Sequence, residues 1–215
     1  MTLSAKQQMI KAFFDKFEKR IDRLQELRAK GLDDEAFTLC LVYIDRLASG
    51  HFGGTAGQNR KNFYRALAEL SGKPLFGMVH PGQLRALVQD HCPSASTLVD
   101  SIVNRQPDAL LDEKDIAEEV RRSSLSEDEK NKVITNLWRA SLANIAYDFI
   151  RVAEAHGPGS GGLSFDKTIY KGKVGVSFDF STLFDALKEI LKNVVARSMS
   201  TSEWFGNPNY MKELP

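Results

Sequence analysis

The sequence predicts a mainly all-α protein: a four-helix-type bundle, with a small helical lobe inserted in it and a short β-hairpin before the last helix. Three observations lead there. Apolar residues recur at helical spacing along almost the whole chain. The prolines at 74, 81, 93 and 107 crowd into one stretch and cut it into short pieces. The period changes to alternation only between Leu163 and Phe180. At 215 residues the chain suits one domain, 1–215, long enough to bury a sizeable core.

Ile10, Phe13, Phe14, Phe17, Ile21, Leu24 and Leu27 make the first stripe, which Gly31 ends. Asp33 or Asp34 is placed to cap a second helix. That helix carries Phe37, Leu41, Val42, Ile44, Leu47 and Ala48, is apolar on most sides, and is expected to stop at Gly50. A glycine-rich loop, His51 to Gly57, leads to a shorter helix from Asn59 to Leu70. Residues 71–125 read as the inserted lobe, with short helices from His80-Pro81 to about Asp90, from Thr97 to Asn104 and from Glu113 to Arg122.

Ser126 and Glu129 form a capping-box pattern. It is expected to open the longest helix, to about His156, with Val133, Leu137, Leu142, Ile145, Phe149 and Val152 on one stripe. Thirty residues at 1.5 Å each reach about 45 Å, enough to cross a domain. Thr168-Ile169-Tyr170 and Val174 to Phe178 read as two strands around Lys171-Gly172-Lys173. A last helix carries Leu183, Phe184, Leu187, Ile190, Leu191 and Val194, and the tail 198–215 is polar. The four main helices are thus expected at roughly 6–30, 35–49, 127–156 and 180–197, each hiding its stripe against the others.

Charge is nearly balanced, 29 basic against 28 acidic residues, which argues against a protein that coats nucleic acid but leaves room for a local basic site. Cys40 and Cys92 make no disulfide framework and suit a reducing, cytoplasmic setting. No run approaches the ~18 apolar residues of a membrane span, and Met1 to Lys19 carries both charges, unlike a signal peptide. His80, His91 and Cys92 lack metal-ligand spacing, and no cofactor is expected. Arg60 and Lys61, at a helix start behind the glycine loop, are placed to hold an anion, although a plain turn explains the loop as well.

The chemistry concentrates in Arg–His pairs. Against an R-x4-6-H pattern, Arg151 and His156 stand as R-x4-H before Gly157-Pro158, Arg46 and His51 as a second R-x4-H, and Arg85 and His91 as R-x5-H. With thirteen arginines, four histidines and three permitted spacings, roughly one chance match is expected, so context decides. Five residues along a regular helix turn about 500° and leave the two side chains about 140° apart, so convergence requires the helix to end at the pair. Gly157-Pro158 supplies that end for Arg151 and His156, and Gly50 supplies one for Arg46 and His51. A guanidinium holds a phosphate at two points, and an imidazole moves a proton near neutral pH. A last-turn cation complementing the helix dipole, worth ~0.3–1 kcal/mol, is the plainer explanation of each pair.

A helical bundle with R-x4-6-H late in the chain resembles the HEPN superfamily. Tyr147-Asp148-Phe149-Ile150-Arg151-Val152-Ala153-Glu154-Ala155-His156-Gly157 is similar to its motif region, and Leu39 to Ser49, followed by His51-Phe52-Gly53-Gly54, to its earlier central helix. The resemblance spans roughly 35–70 and 130–197 and leaves 71–125 outside. It implies metal-independent RNA cleavage at a homodimer interface, as in toxin or defence systems with an antitoxin partner. Arg151 would hold the scissile phosphate, and His156 would serve as general acid or base, the second histidine coming from the dimer mate. Asp45 matches a polar residue of the central helix that would orient Arg151 or His156; an ion pair with a neighbouring arginine explains it equally. Val152 stands where the family often has a polar residue, which leaves a second reading open: a non-catalytic helical module that binds protein or RNA.

Overall fold

Ser4 opens the first helix with a reciprocal cap: its hydroxyl accepts from the Gln7 N–H at 3.2 Å, and Gln7 Oε1 accepts from the Ser4 N–H at 2.9 Å. The computed structural model describes residues 3–54, 57–107, 109–148, 168–170, 173–175 and 180–210. Helix α1 (Ala5–Ala29) buries Ile10, Phe14, Phe17, Ile21 and Leu24 along one stripe. Gly31, at φ +76°, makes the left-handed turn out of it. Helix α2 (Asp33–Phe52) follows. Asp33 and Asp34 lie in its first turn rather than at its cap, which is Leu32, so they act on the helix dipole and Asp33 pairs with Arg28 at 2.9 Å.

Gly50 does not end α2. The helix runs two residues further, to Phe52, and Gly50 is buried inside it. The reason is a close approach: a Cβ at Gly50 would sit 2.5 Å from the Phe205 ring. That ring is 1% exposed and meets Phe13 and Phe14 edge to face at 5.7 and 5.4 Å. Phe205 lies in the single turn Trp204–Gly206 after helix α9 (Phe180–Thr201), with φ of 53°. A bulky residue holds that left-handed backbone only when packing over-determines it. The polar tail is therefore docked along 201–210 and completes the core.

The main core joins α1, α2, α3 (Asn59–Arg65, continued by a π turn Ala66–Leu70), α9 and a helix α8 at 142–148. The single long helix expected over 127–156 is not formed. Its capping box is present, and helix α7 (Glu127–Asn136) starts there, but a tight turn, Leu137–Ala140, and an extended Ser141 (φ −74°, ψ 159°) interrupt it. The cause is backbone pairing. Val79 bridges both Leu111 and Ser141, the His80 N–H donates to the Ala140 carbonyl at 2.9 Å, and the Leu142 N–H donates to the Met78 carbonyl at 2.9 Å. The amides and carbonyls of 140–142 are thus drawn out of the helical ladder. Ser141 then restarts the helix, its Oγ accepting from the Asn144 N–H at 3.2 Å.

This break also divides the hydrophobic interior. Val133 and Leu137 pack with Leu84, Val99, Ile116 and Val120 in a second cluster, whereas Leu142 and Ala146 belong to the main core. The second cluster is built by α4 (Pro81–His91), α5 (Ser96–Arg105), α6 (Glu113–Arg122) and α7. The sequence assigned α7 to the main bundle; it lies with the lobe helices instead. His80 caps α4 through Nδ1, which accepts from the Gly82 and Gln83 N–H groups at 3.1 and 3.4 Å. Among the described residues the expected hairpin is not seen as such: only β1 (Thr168–Tyr170) pairs with β2 (Lys173–Gly175), Ile169 opposite Val174, and 176–178 of the expected second strand lie outside them. The described residues form no sheet layer, and the fold is all-α.

One polar contact joins the two hydrophobic clusters. Tyr64, whose ring lies 5.6 Å from Trp138, donates its hydroxyl to Glu113 Oε2 at 3.0 Å. Burial raises the Glu113 carboxyl above its ordinary value, outweighing the tyrosine hydrogen bond that lowers it, and burial together with the charge of Glu113 pushes the Tyr64 phenol up. A carboxyl raised in the folded state binds its proton more tightly there than in the unfolded chain. Stability is therefore lost as pH rises from the ordinary value of 4.5 through the raised one. Glu113→Gln, which keeps an acceptor for Tyr64, is expected to match the wild type near pH 4 and to melt higher at pH 7. Tyr64→Phe is expected to cost about 0.5–1.5 kcal/mol in urea unfolding at pH 7. Equal melting temperatures for Glu113→Gln and wild type at both pH values would remove Glu113 from this role.

Candidate functional site at the edge between α3 and α8

Gly53 leaves α2 with φ +84°, and its carbonyl accepts a hydrogen bond from Asn62 Nδ2, which fixes the start of α3. Asn62 is buried, so this bond satisfies a group that would otherwise be costly. Arg60 then projects from the first turn of α3 towards α8. Its Nε donates to Asn144 Oδ1 at 2.6 Å, and its Nη2 donates to Asp148 Oδ2 at 2.7 Å. Asn144 and Asp148 are four apart and share one face of α8.

The two contacts differ in weight. Asn144 is 2% exposed, and its own Nδ2 donates to the Arg139 carbonyl at 2.6 Å, so loss of Arg60 strands a buried acceptor. Asp148 is an exposed residue, and its ion pair with Arg60 is worth ~1 kcal/mol or less. The guanidinium also lies 5.8 Å from the Tyr147 ring, and that ring meets Phe63 at 5.4 Å. Arg60 is therefore held on three sides and ties α3 to α8. Of its five N–H donors, Nε and one on Nη2 are engaged by these described residues.

Arg151 and His156, the residues expected to carry the chemistry, lie outside the described residues. Asp45 sits half-buried on α2, with Oδ1 shielded from solvent. Both members of the alternative pair, Arg46 and His51, reach the segment at 205–210. Arg46 Nη2 donates to the Tyr210 hydroxyl at 2.7 Å, and its guanidinium lies 5.8 Å from the Phe205 ring and 5.9 Å from the Tyr210 ring. His51 Nδ1 lies 2.7 Å from the Phe205 carbonyl; a carbonyl only accepts, so Nδ1 carries the proton. Both side chains fasten the docked tail. Arg85 donates to Asp100 Oδ1 and Asn104 Oδ1 at 2.8 and 2.7 Å inside the lobe, while His91 stands exposed at the end of α4.

Sequence reading pointed to Arg60 only as an anion holder on free amides and gave Asn144 and Asp148 no part. The signals were there: a Ser-x-x-Asn cap at 141–144 and an Asn–Asp pair four residues apart. Both were hidden by reading 127–156 as one uninterrupted helix. Cys40 is fully buried, and burial pushes its thiol far up, so it serves as a core residue. Among the described residues, no three His, Cys, Asp or Glu side chains gather as a metal site, and no helix is long and apolar enough to cross a membrane. Compared with known proteins, the chain matches no family model, no curated protein and no solved structure.

Proposed function

We propose that the protein is a HEPN-like endoribonuclease that cleaves RNA without a metal, acting as a homodimer in a toxin or defence setting. What supports this reading is the R-x4-H spacing of Arg151 and His156 together with the structural use made of the other Arg–His pairs. Arg46 and His51 are both spent on the tail, and Arg85 is engaged by Asp100 and Asn104 within the lobe. Arg151 and His156 are the pair that the sequence sets directly before Gly157-Pro158. They follow Asp148 by three and eight residues in the sequence.

The chemistry follows from the groups. The ribose 2′-hydroxyl loses its proton to one imidazole and attacks the neighbouring phosphorus. The bond to the 5′-oxygen breaks as a 2′,3′-cyclic phosphate forms, and an imidazolium gives its proton to that leaving oxygen. One His156 from each of two subunits supplies base and acid together. Arg151 offsets the charge that builds on the non-bridging oxygens. Val152 favours the second reading, a bundle that binds a protein or RNA partner without cutting it.

The test is cleavage of a mixed-sequence RNA by the full chain in EDTA, with the new ends analysed. Fragments ending in 2′,3′-cyclic phosphate are expected. Intact RNA under all conditions, from a protein that is folded and dimeric, would discard the nuclease reading and leave the binding module.

A further inference from the structure

A groove of about 370 Å³ runs between α1 and α2, on another part of the surface from the α3–α8 edge. Its floor is apolar, formed by Leu27, Leu39 and the half-exposed ring of Tyr43. That ring is tilted against Phe17 with centroids 5.3 Å apart, which holds it in place. The rim carries Arg20, Arg23 and Lys30, all exposed, with one carboxylate, Glu26. Neighbouring charges on the same helix are paired: Asp22 with Lys188 at 3.5 Å and Arg28 with Asp33 at 2.9 Å. Arg20, Arg23 and Lys30 have no carboxylate within 4 Å among the described residues.

We propose that this groove binds single-stranded RNA, with a base on Tyr43 and the backbone phosphates on Arg20, Arg23 and Lys30. Three cations with no paired carboxylate beside a fixed aromatic ring are what a single strand needs: charge that tracks its backbone and a face on which a base can stack. The cations lie on one helix, Arg23 about 4.5 Å and Lys30 about 15 Å along the axis from Arg20, so several successive phosphates are within reach. An acidic protein segment would also satisfy the rim, but it makes no particular use of the aromatic ring. The RNA substrate proposed above decides only the choice of ligand; the groove itself stands on its own residues.

The probe is a labelled oligouridine of about ten nucleotides carrying 2′-O-methyl groups, which removes the attacking hydroxyl and separates binding from cleavage. Anisotropy is followed from roughly 50 to 200 mM salt. The wild type is expected to bind with a log–log salt slope near −2, at about −0.7 per phosphate engaged by three cations. Arg20→Ala/Arg23→Ala is expected to bring the slope near −0.7 and to weaken binding about tenfold or more at the lowest salt. Tyr43→Leu is expected to weaken binding roughly tenfold with the slope unchanged, and Tyr43→Phe to bind as the wild type, with circular dichroism confirming that both are folded. Wild-type affinity in the arginine double variant, no binding by the wild type at low salt, or displacement of the probe by poly-glutamate as readily as by RNA would each overturn the assignment. Binding of the probe without cleavage of ordinary RNA would instead count against the nuclease centre alone.

Discussion

Phe205→Ala is expected to destabilise the protein by about 3–5 kcal/mol, the range for a large aromatic removed from a packed core. For a chain of this length, that corresponds to a fall in melting temperature of roughly 6–20 °C. The ring is almost wholly buried, lies against Gly50, Phe13 and Phe14, and is carried by a segment outside the helices it fills. Its loss opens a cavity where three elements meet, and the Phe205 carbonyl that receives the His51 proton is displaced with it. The complementary change, Gly50→Ala, drives a methyl into the same ring and is expected to destabilise as well. A melting temperature for Phe205→Ala within about 2 °C of the wild type would mean that the tail does not complete the core.

The second large effect falls on the proposed catalytic pair. Arg151→Ala is expected to lower kcat/KM for RNA by roughly 10²–10³-fold, the scale on which removing one donor to transition-state charge acts. Arg151→Lys is expected to recover only part of that loss, because an ammonium cannot hold two phosphate oxygens in a fixed fork. Neither substitution is expected to shift the melting temperature in step with the activity, and this separates chemistry from folding. Full activity in Arg151→Ala would remove the guanidinium from the reaction.

Much of the architecture was legible in the sequence because helical stripes are long and redundant. Ile10 to Leu24 and Leu183 to Val194 each repeat an apolar residue over about three to four turns, and the cap at Ser126 is a local pattern that needs no tertiary information. What was not legible depended on contacts between distant segments. The break at Ser141 is imposed by Val79, sixty-two positions earlier, through backbone groups that carry no side-chain signature. Gly50 read as a helix stop because glycine usually marks one; its actual partner, Phe205, lies in a tail that composition marks only as polar. The same kind of partner settled Arg46 and His51, whose spacing matched the catalytic pattern and whose contacts, with Tyr210 and Phe205, are structural. Arg60 was visible, but its tie to Asn144 and Asp148 required α8 to begin where it does.

The most direct measurement is RNA cleavage in EDTA by three proteins side by side: the wild type, His156→Ala and His51→Ala. Cleavage is expected to fall by about 10²–10⁴-fold in His156→Ala, the scale on which a general acid or base acts, with the melting temperature unchanged. His51→Ala, which loosens the tail, is expected to lower the melting temperature while the folded protein still cleaves. A His156→Ala protein that cleaves at the wild-type rate, or a fully folded His51→Ala protein that does not cleave at all, would contradict the assignment of the chemistry to Arg151 and His156.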